Sequence, residues 1–249
     1  MCATCFPKPV PEAPIVTAVQ PRPRGTATRG RAAPTVKRVA GSASVADIGE
    51  QRVYHLTHVS NLPGILTAGT IVAGLEPVVD ISPAGARAER DSVEIPGLAD
   101  AKLADFVPFF LSPNALMWQS IRSGTAHPRV SRDILHADAA DFVLLVSTVR
   151  QLIDSAKVFA VTDGAAEAER TRFGVNKVDA EAMLRRLRSD ANPDALLEAE
   201  LFVQGSLPLE SVSLIGVAHD KARAVVRQIL VEADAEAKVA VYPPWFAAE

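Results

Sequence analysis

The stretch VYHLTHVSNLPGIL, residues 53–66, decides the fold of this chain. Its first half combines β-branched and aromatic residues, which predicts a β-strand. The polar run that follows predicts a short helix, with Ser60 or Asn61 as the N-cap and Gly69 at its end. His55 and Thr57 alternate along the strand and therefore share one face. Polar groups crowded before a turn fit either an ordinary strand end or a ligand-binding site.

The segments beyond this stretch predict the α+β class. Short apolar runs bounded by turn residues predict strands, and amphipathic runs predict helices between them. The predicted later strands are VPFFLSP, DFVLLVS, KVFAVTDG, LFVQG, VSLIGVA and the edge strand KVAVYPPWF. Because the strands are short and the helices irregularly placed, α+β fits better than a regular βαβ alternation.

The first 48 residues differ in composition from the rest. They are rich in Pro, Ala, Thr, Gly and Arg, and residues 1–45 carry seven basic residues against one acid. Such a segment buries too little apolar surface to offset the entropy of ordering, so we predict a disordered basic arm. A plain spacer and a segment that attracts a polyanion non-specifically explain this arm equally well. Residues 49–249 are predicted to form one domain.

Global properties disfavour several classes of protein. The chain has 249 residues and a net charge of −3, so the whole molecule is not marked as a nucleic-acid binder. Gly-rich phosphate loops, H-E-x-x-H motifs and nucleophile elbows are absent from the sequence, and we predict no metal. Cys2 and Cys5 form one C-x-x-C without a second pair to complete a zinc site. With no secretory signal and no bilayer-length apolar run, we predict a cytoplasmic protein.

Two further groups of residues are candidates for chemistry. Glu200 opens an otherwise apolar strand, where a carboxylate is either exposed at the strand end or buried for function as a base or cation stabiliser. Glu198 faces the same way, so the pattern alone does not choose between them. Arg87 and Arg90 offer planar forks suited to phosphate, but a solvated loop explains them equally well.

Five segments in order resemble the DarT family of bacterial DNA ADP-ribosyltransferase toxins. They are YHLTHVSNLPGILTAG, ARAER, LADFVPFFLSPNALMWQSIRSG, FAVTDGAA and EAELFVQGSLPLESVSLIGV, and they span about residues 52–220. The resemblance implies an ADP-ribosyltransferase-like fold with a split, mostly antiparallel sheet and flanking helices. It implies NAD, consumed as substrate, and transfer of ADP-ribose to a base in single-stranded DNA. That base is thymidine in the better-known branch and guanosine in another. The resemblance also implies a partner, a DarG-like macrodomain antitoxin.

The resemblance also assigns roles residue by residue. Glu200 matches the catalytic glutamate and Arg87 the active-site arginine, with Arg90 as the alternative. The residues expected to line the NAD site are His55, Thr57, Asn61, Gly64, Arg87 and Arg90. Arginines expected near the DNA are Arg185, Arg186 and Arg188, and each fits a solvated helix face equally well. The chain departs from the family in its ARAER segment, at Phe110 and in the loop before the glutamate, which bears on the target base.

These residues imply a mechanism in which Glu200, an arginine and the strand bearing His55 converge around a dinucleotide. The carboxylate stabilises the positive charge that develops on the ribose and helps to take a proton from the acceptor base. Two rivals stay open. One is the same fold acting on RNA or protein, and the other is an inactive module that binds NAD or nucleic acid.

Overall fold

The computed structural model describes residues 47–189 and 194–248. The predicted arm therefore lies almost wholly outside the described residues, as do Cys2 and Cys5. Of residues 1–48, only Asp47 and Ile48 are described, and Ile48 is buried in the core of the folded domain. In the described residues, helices of the length and apolar character needed to cross a bilayer are absent.

Ten strands lie in the described residues of the domain. In chain order, β1 to β10 are Arg52–His58, Thr70–Val72, Phe106–Phe110, Phe142–Thr148, Phe159–Thr162, Phe173–Gly174, Glu200–Gln204, Ser206–Pro208, Leu214–Val217 and Val239–Val241. Eight form one sheet in the order β10-β9-β4-β1-β3-β7-β5-β6, while β2 and β8 pair separately. Neighbours are antiparallel except the edge strand β10, which runs parallel to β9. The predicted α+β class and mostly antiparallel sheet are confirmed.

Seven α-helices in the described residues flank this sheet. In chain order, α1 to α7 are Leu62–Ala68, Ala84–Ser92, Leu116–Ser123, Val149–Ser155, Lys177–Ser189, Asp194–Glu198 and Asp220–Glu232. Helix α1 ends where the sequence predicts, at Gly69, whose φ of +63° is a left-handed conformation that glycine adopts without strain. Helix α2 was not predicted, because the segment containing Arg87 and Arg90 looks like a solvated loop.

The main sheet is split between β1 and β3. Strand β1 pairs with β4 along its whole length, but it meets β3 at one pair only, Tyr54 with Phe110. Strand β3 continues in register with β7, where Phe110 lies opposite Glu200. Beyond Tyr54 the backbone pairing between β1 and β3 is therefore lost beside the histidines of β1, and we call this break in the sheet the gap.

Alternating residues of the strands build a core on each side of the sheet. One core joins Val53, Phe109, Leu145 and Leu201 to helices α1, α4, α5 and α7. The other joins Tyr54, Phe110 and Leu144 to helix α3 and the C-terminal segment. A third, smaller cluster around Phe106 and Phe202 covers the β7–β5 end.

The last residues close over the second core. Trp118 Nε1 donates a hydrogen bond to the carbonyl oxygen of Trp245 over 2.6 Å. The Trp245 ring meets Tyr54 edge to face, with centroids 5.3 Å apart, and stacks on Tyr242 at 4.3 Å. The ring also lies against Gly216 of β9, where a Cβ atom would come within 2.9 Å of it. A side chain at position 216 would therefore collide with Trp245.

Candidate active site

Glu200 is the first residue of β7, and its side chain has no exposed surface. Its backbone is held by Thr162 of the neighbouring strand, because the Glu200 N–H donates to Thr162 Oγ1 over 3.0 Å. The Thr162 hydroxyl in turn donates to the carbonyl oxygen of Gly164 over 2.8 Å. Glu198, by contrast, ends α6 and is exposed. Of the two predicted candidates, Glu200 is thus the buried carboxylate.

Arg129 supplies the countercharge that Glu200 needs. Its Nη1 donates to Glu200 Oε2 over 2.9 Å and its Nη2 to Oε1 over 2.8 Å. This two-pronged pairing is the strongest that an arginine makes with a carboxylate. Burial alone would lower the pKa of Arg129, but the charge and hydrogen bonds of Glu200, with the charge of Glu167, raise it above its ordinary value. Arg129 therefore stays charged beside Glu200.

Glu167 extends this pair into a cluster of four charges. Its Oε1 accepts a hydrogen bond from Arg90 Nη1 over 2.9 Å and lies 3.7 Å from Arg129 Nε. Burial acts to raise the pKa of Glu167, but the nearby charges of Arg129 and Arg90 outweigh it and lower the pKa. We call Arg90, Arg129, Glu167 and Glu200 the carboxylate cluster. Two acids and two guanidiniums make it neutral overall.

Sequence reasoning did not find Arg129 or Glu167. Both lie in loops, Arg129 in AHPRVSRD and Glu167 in TDGAAEAER, among many other charged residues. A buried Glu200 implies a cation partner, but the chain has 26 lysines and arginines, and Arg129 is 71 residues away. The pairing is set by tertiary structure, which local sequence does not encode.

The predicted arginines separate into two environments. Arg90 belongs to the carboxylate cluster, with its guanidinium 5.4 Å from the centre of the Phe202 ring. Arg87 lies on the same helix, but its side chain is 52% exposed and forms an ion pair with Asp80. Of the two arginines, Arg90 is therefore the one whose described contacts reach Glu167.

His55, Thr57 and Asn61 form a second polar group. His55 Nδ1 lies 2.9 Å from the carbonyl oxygen of Pro108, across the gap between β1 and β3. Since a carbonyl only accepts, Nδ1 carries the proton, and Nε2 of the neutral ring is left as an acceptor. Burial lowers the pKa of His55, which favours this neutral form. Asn61 Nδ2 donates to Thr57 Oγ1 over 3.1 Å.

These two polar groups do not touch directly in the described contacts. Tyr54, Phe110 and Glu200 are directly opposite one another on three strands, so their side chains share a face. His55 is one residue along and points to the other face, where its ring lies 5.5 Å from that of Phe109. The prediction that Glu200 and His55 converge on one side of the sheet is therefore wrong, because the register puts them on opposite faces. A ligand that reaches both must pass through the sheet between β1 and β3.

Residues 79–81 link the two groups. Asn61 holds the backbone of Val79 through two hydrogen bonds, 2.9 Å to its carbonyl oxygen and 2.8 Å from its N–H. Two residues on, the Ile81 carbonyl accepts a hydrogen bond from the Ser131 N–H over 2.8 Å. Ser131 is two residues beyond Arg129. The predicted NAD-site residue Asn61 is thus tied, through this short segment, to the loop that carries the partner of Glu200.

The other predicted site residues lie on helices. Gly64 is exposed within α1, with open space around it, rather than in a turn. On α5, Arg185 pairs with Glu181 and Arg186 with Asp163, the residue that follows β5. Arg188 is exposed on the same helix. Within the described part of the chain, groups of three or more His, Cys, Asp or Glu placed to hold a metal ion are absent.

A family model described as "ssDNA thymidine ADP-ribosyltransferase, DarT" matches residues 54–247. The chain belongs to the DarT family. A DNA ADP-ribosyl transferase of Thermus aquaticus is 30% identical over 193 residues, covering 72% of this chain and 81% of that protein. One of Mycobacterium tuberculosis is 28% identical over 193 residues, with the same coverage of 72% and 81%. As a DarT-family member, the chain is an NAD-dependent ADP-ribosyltransferase of single-stranded DNA.

Solved structures share the fold. Thermus sp. 2.9 DarT in complex with ADP-ribosylated ssDNA superposes with a TM-score of 0.66 at 23% identity, covering 79% of this chain and 96% of that one. The same protein in complex with NAD+ gives a TM-score of 0.65 at 23% identity, covering 79% and 98%. Thermosipho africanus DarTG in complex with ADP-ribose gives 0.57 at 16% identity, covering 79% of this chain and 51% of that one. The split sheet is therefore a DarT fold.

Proposed function

We propose that this chain transfers ADP-ribose from NAD to a thymine base in single-stranded DNA, with Glu200 as the catalytic carboxylate. The observation that carries the proposal is the fully buried Glu200, held by Arg129 on β7, the second strand beyond the split between β1 and β3. A charged carboxylate is seldom buried without a function or a partner, and here it has both a partner and a place beside a gap. The description of the matching family supports thymidine as the acceptor.

Glu200 acts on the charge that develops during transfer. Breaking the bond between nicotinamide and ribose builds positive charge on the ribose, and a preorganised carboxylate stabilises it in a water-poor site. Arg129 takes one lone pair on each oxygen of Glu200 and leaves others for a ribose hydroxyl. Because Glu200 has no exposed surface, contact with the ribose requires Arg129 to shift.

NAD is proposed to span the gap between β1 and β3. The side chain of Arg90 is 12% exposed and belongs to the cluster, so its fork suits the diphosphate. On the β1 side, His55 Nε2 and the Thr57–Asn61 pair are placed for the nicotinamide half. Arg87 on α2 and Gly64 on α1 are proposed to contribute from the outside, since Arg87 is the more exposed of the two arginines. Holding both halves of NAD fixes the reacting geometry, which itself lowers the barrier.

The DNA is proposed to approach from the side of α5. The arginines Arg185, Arg186 and Arg188 on this helix offer contacts to phosphates. An acceptor base must leave its stack to react, and a single strand allows this at low cost. A base presented by such a strand is proposed to reach the start of β7, where Glu200 lies. The loop that follows β5 is beside this point, and Arg186 is tied to that loop through Asp163.

The test compares two neighbouring glutamates. We expect Glu200→Gln to abolish transfer of label from NAD to thymine-containing oligonucleotides, while Glu198→Gln behaves as the wild type because Glu198 is exposed. Separate DNA, RNA and protein pools identify the acceptor class, and mass spectrometry of the oligonucleotides identifies the base. Undiminished transfer by Glu200→Gln, or wild-type label entering only RNA or protein, would contradict the proposal.

We further propose that the activity is toxic to bacteria and is countered by a macrodomain antitoxin. The support is the family, together with the match to one half of the Thermosipho africanus DarTG chain. Induced expression of the wild type is expected to arrest bacterial growth, and Glu200→Gln is expected to permit it. Co-expression with a DarG-type macrodomain should restore growth of the wild type. Equal growth of the wild type and Glu200→Gln, without any antitoxin, would refute toxicity.

A further inference from the structure

Glu167 has one carboxylate oxygen that takes no hydrogen bond from another described residue. In the described residues, its Oε1 bonds to Arg90, while its Oε2 is buried and accepts no hydrogen bond from another residue. The side chain as a whole is 90% buried, with an exposed fraction of 10%. Leaving a buried acceptor unpaired costs about 1–3 kcal/mol, and more when the group is charged. The lowered pKa of Glu167 keeps it charged, so it has a strong need for a donor.

The order of strands places Glu167 opposite the proposed nicotinamide side. The sheet runs β1, β3, β7, β5, with His55 on β1, Glu200 on β7 and Glu167 in the loop after β5. Paired strands lie about 4.8 Å apart, and the split between β1 and β3 adds to this, so β1 and β5 are separated by at least roughly 14 Å. In an in-line displacement, the entering group and the leaving group lie on opposite sides of the reacting carbon. If NAD enters from β1, the acceptor therefore enters from β5.

The charged surroundings of this loop fit the same direction. Asp163 opens the loop that carries Glu167 and pairs with Arg186 of α5, one of the arginines proposed to meet phosphates. The loop that carries the unpaired oxygen of Glu167 is thus tied to the helix proposed to meet the DNA, and we call this loop and helix one corner of the molecule. Arg129 connects this corner to the reacting centre, because it contacts both Glu167 and Glu200.

Building on the proposed function, we propose that Glu167 binds the ring N–H of the acceptor base and takes its proton. The N–H bond breaks and the proton passes to the Glu167 carboxylate. The freed electron pair on nitrogen forms the bond to the ribose carbon, and the bond from that carbon to nicotinamide breaks. Neutral nicotinamide leaves, and Glu167 then gives the proton to water. Glu200, whose two oxygens are both held by Arg129, is left to stabilise the ribose.

This role also selects the base. A charged carboxylate only accepts hydrogen bonds. Thymine and guanine present a ring N–H at their pairing edge, whereas adenine and cytosine present a bare ring nitrogen there. Glu167 therefore attracts the first two bases and repels the others. Glutamine at this position offers both a donor and an acceptor, so it removes the discrimination as well as the base catalysis.

The experiment uses the full chain and three variants. Glu167→Gln removes the base, Glu167→Asp keeps a carboxylate, and Glu169→Gln is the control, two residues along the same loop at an exposed position. Each is tested on oligonucleotides presenting only thymine, guanine, cytosine or adenine. NAD affinity is measured by titration calorimetry, and folding is checked by urea unfolding.

We expect Glu167→Gln to transfer to thymine about 10²–10⁴ times more slowly, a loss well beyond any change in NAD affinity, which can shift because Glu167 also holds Arg90. Its residual rate should rise with pH, because hydroxide increasingly removes the base proton, and its preference for thymine over cytosine should fall. Glu167→Asp should recover part of the rate, and Glu169→Gln all of it. Wild-type transfer by Glu167→Gln, or an equal loss of NAD affinity and transfer, overturns the role of Glu167 alone. A wild type that labels no oligonucleotide overturns the proposed function and this inference with it.

Discussion

Removing Arg129 should destabilise the folded chain more than removing other arginines. In Arg129→Met, the carboxylate of Glu200, whose side chain has no exposed surface in the wild type, loses two charge-assisted hydrogen bonds, of 2.8 and 2.9 Å. Breaking a buried ion pair by removing one partner costs about 3–5 kcal/mol, because the remaining charge is uncompensated. A domain has only about 5–15 kcal/mol of stability in total, so the variant should be folded but marginal.

The double variant Arg129→Met with Glu200→Gln isolates the cause. If the unpaired charge is the main cost, neutralising Glu200 should restore most of the lost free energy of unfolding, although two charged groups are then absent. The control is Arg185→Met, which breaks an exposed helical pair with Glu181. That change should cost only about 0.3–0.5 kcal/mol.

Urea unfolding followed by far-ultraviolet circular dichroism measures the free energy of unfolding of the wild type and of all three variants. The free energies are comparable if the denaturant slopes agree, since the slope reports the surface exposed on unfolding. An Arg129→Met protein within 1 kcal/mol of the wild type would refute the reasoning. So would a double variant no more stable than the single one, because Glu200 would then not be the source of the loss.

Three further predictions concern other parts of the chain. Gly216→Ala should destabilise by about 1–3 kcal/mol, since its Cβ would lie 2.9 Å from the Trp245 ring; an unchanged urea midpoint would contradict this. Burial lowers the pKa of His55, so the unfolded state binds a proton below about pH 6.5 that the folded state refuses. Stability should therefore fall from pH 7.5 to 5.5, and by less in His55→Gln; an equal fall in both proteins would exclude this histidine as a cause. Deleting residues 1–45 should reduce the salt dependence of DNA binding by about 0.7 per lost phosphate contact in a plot of log affinity against log salt, and an identical slope would show that the arm does not touch DNA.

Local patterns predict most of the strands and the ends of two helices. The run of residues 52–58 has the composition of a strand, and it is one. Gly69 takes positive φ at the end of α1, as the sequence predicts, and Gly124 does the same at the end of α3. Helix α2 escaped prediction because Ala86 is its only buried residue, so it lacks an apolar stripe.

The candidate site is harder to predict because its contacts are long in sequence. Glu200 was identified as a candidate, but its burial depends on where α6 ends and β7 begins. Its partner Arg129 is 71 residues away, and Glu167 and Arg90 are 77 residues apart. The faces of the strands present the same difficulty. That Glu200 and His55 point to opposite sides follows from the register of β1 on β3 and of β3 on β7, which strand composition does not reveal.

The corner that holds the C-terminal segment has an optical consequence. Both tryptophans of the chain, Trp118 and Trp245, lie in it and are joined by a hydrogen bond. During unfolding, the change in intrinsic tryptophan fluorescence will therefore report when the last residues separate from β1, which Trp245 contacts at Tyr54. A separate reporter, such as tryptophan in place of Phe173 on the far edge strand, is needed to observe local opening near Glu167.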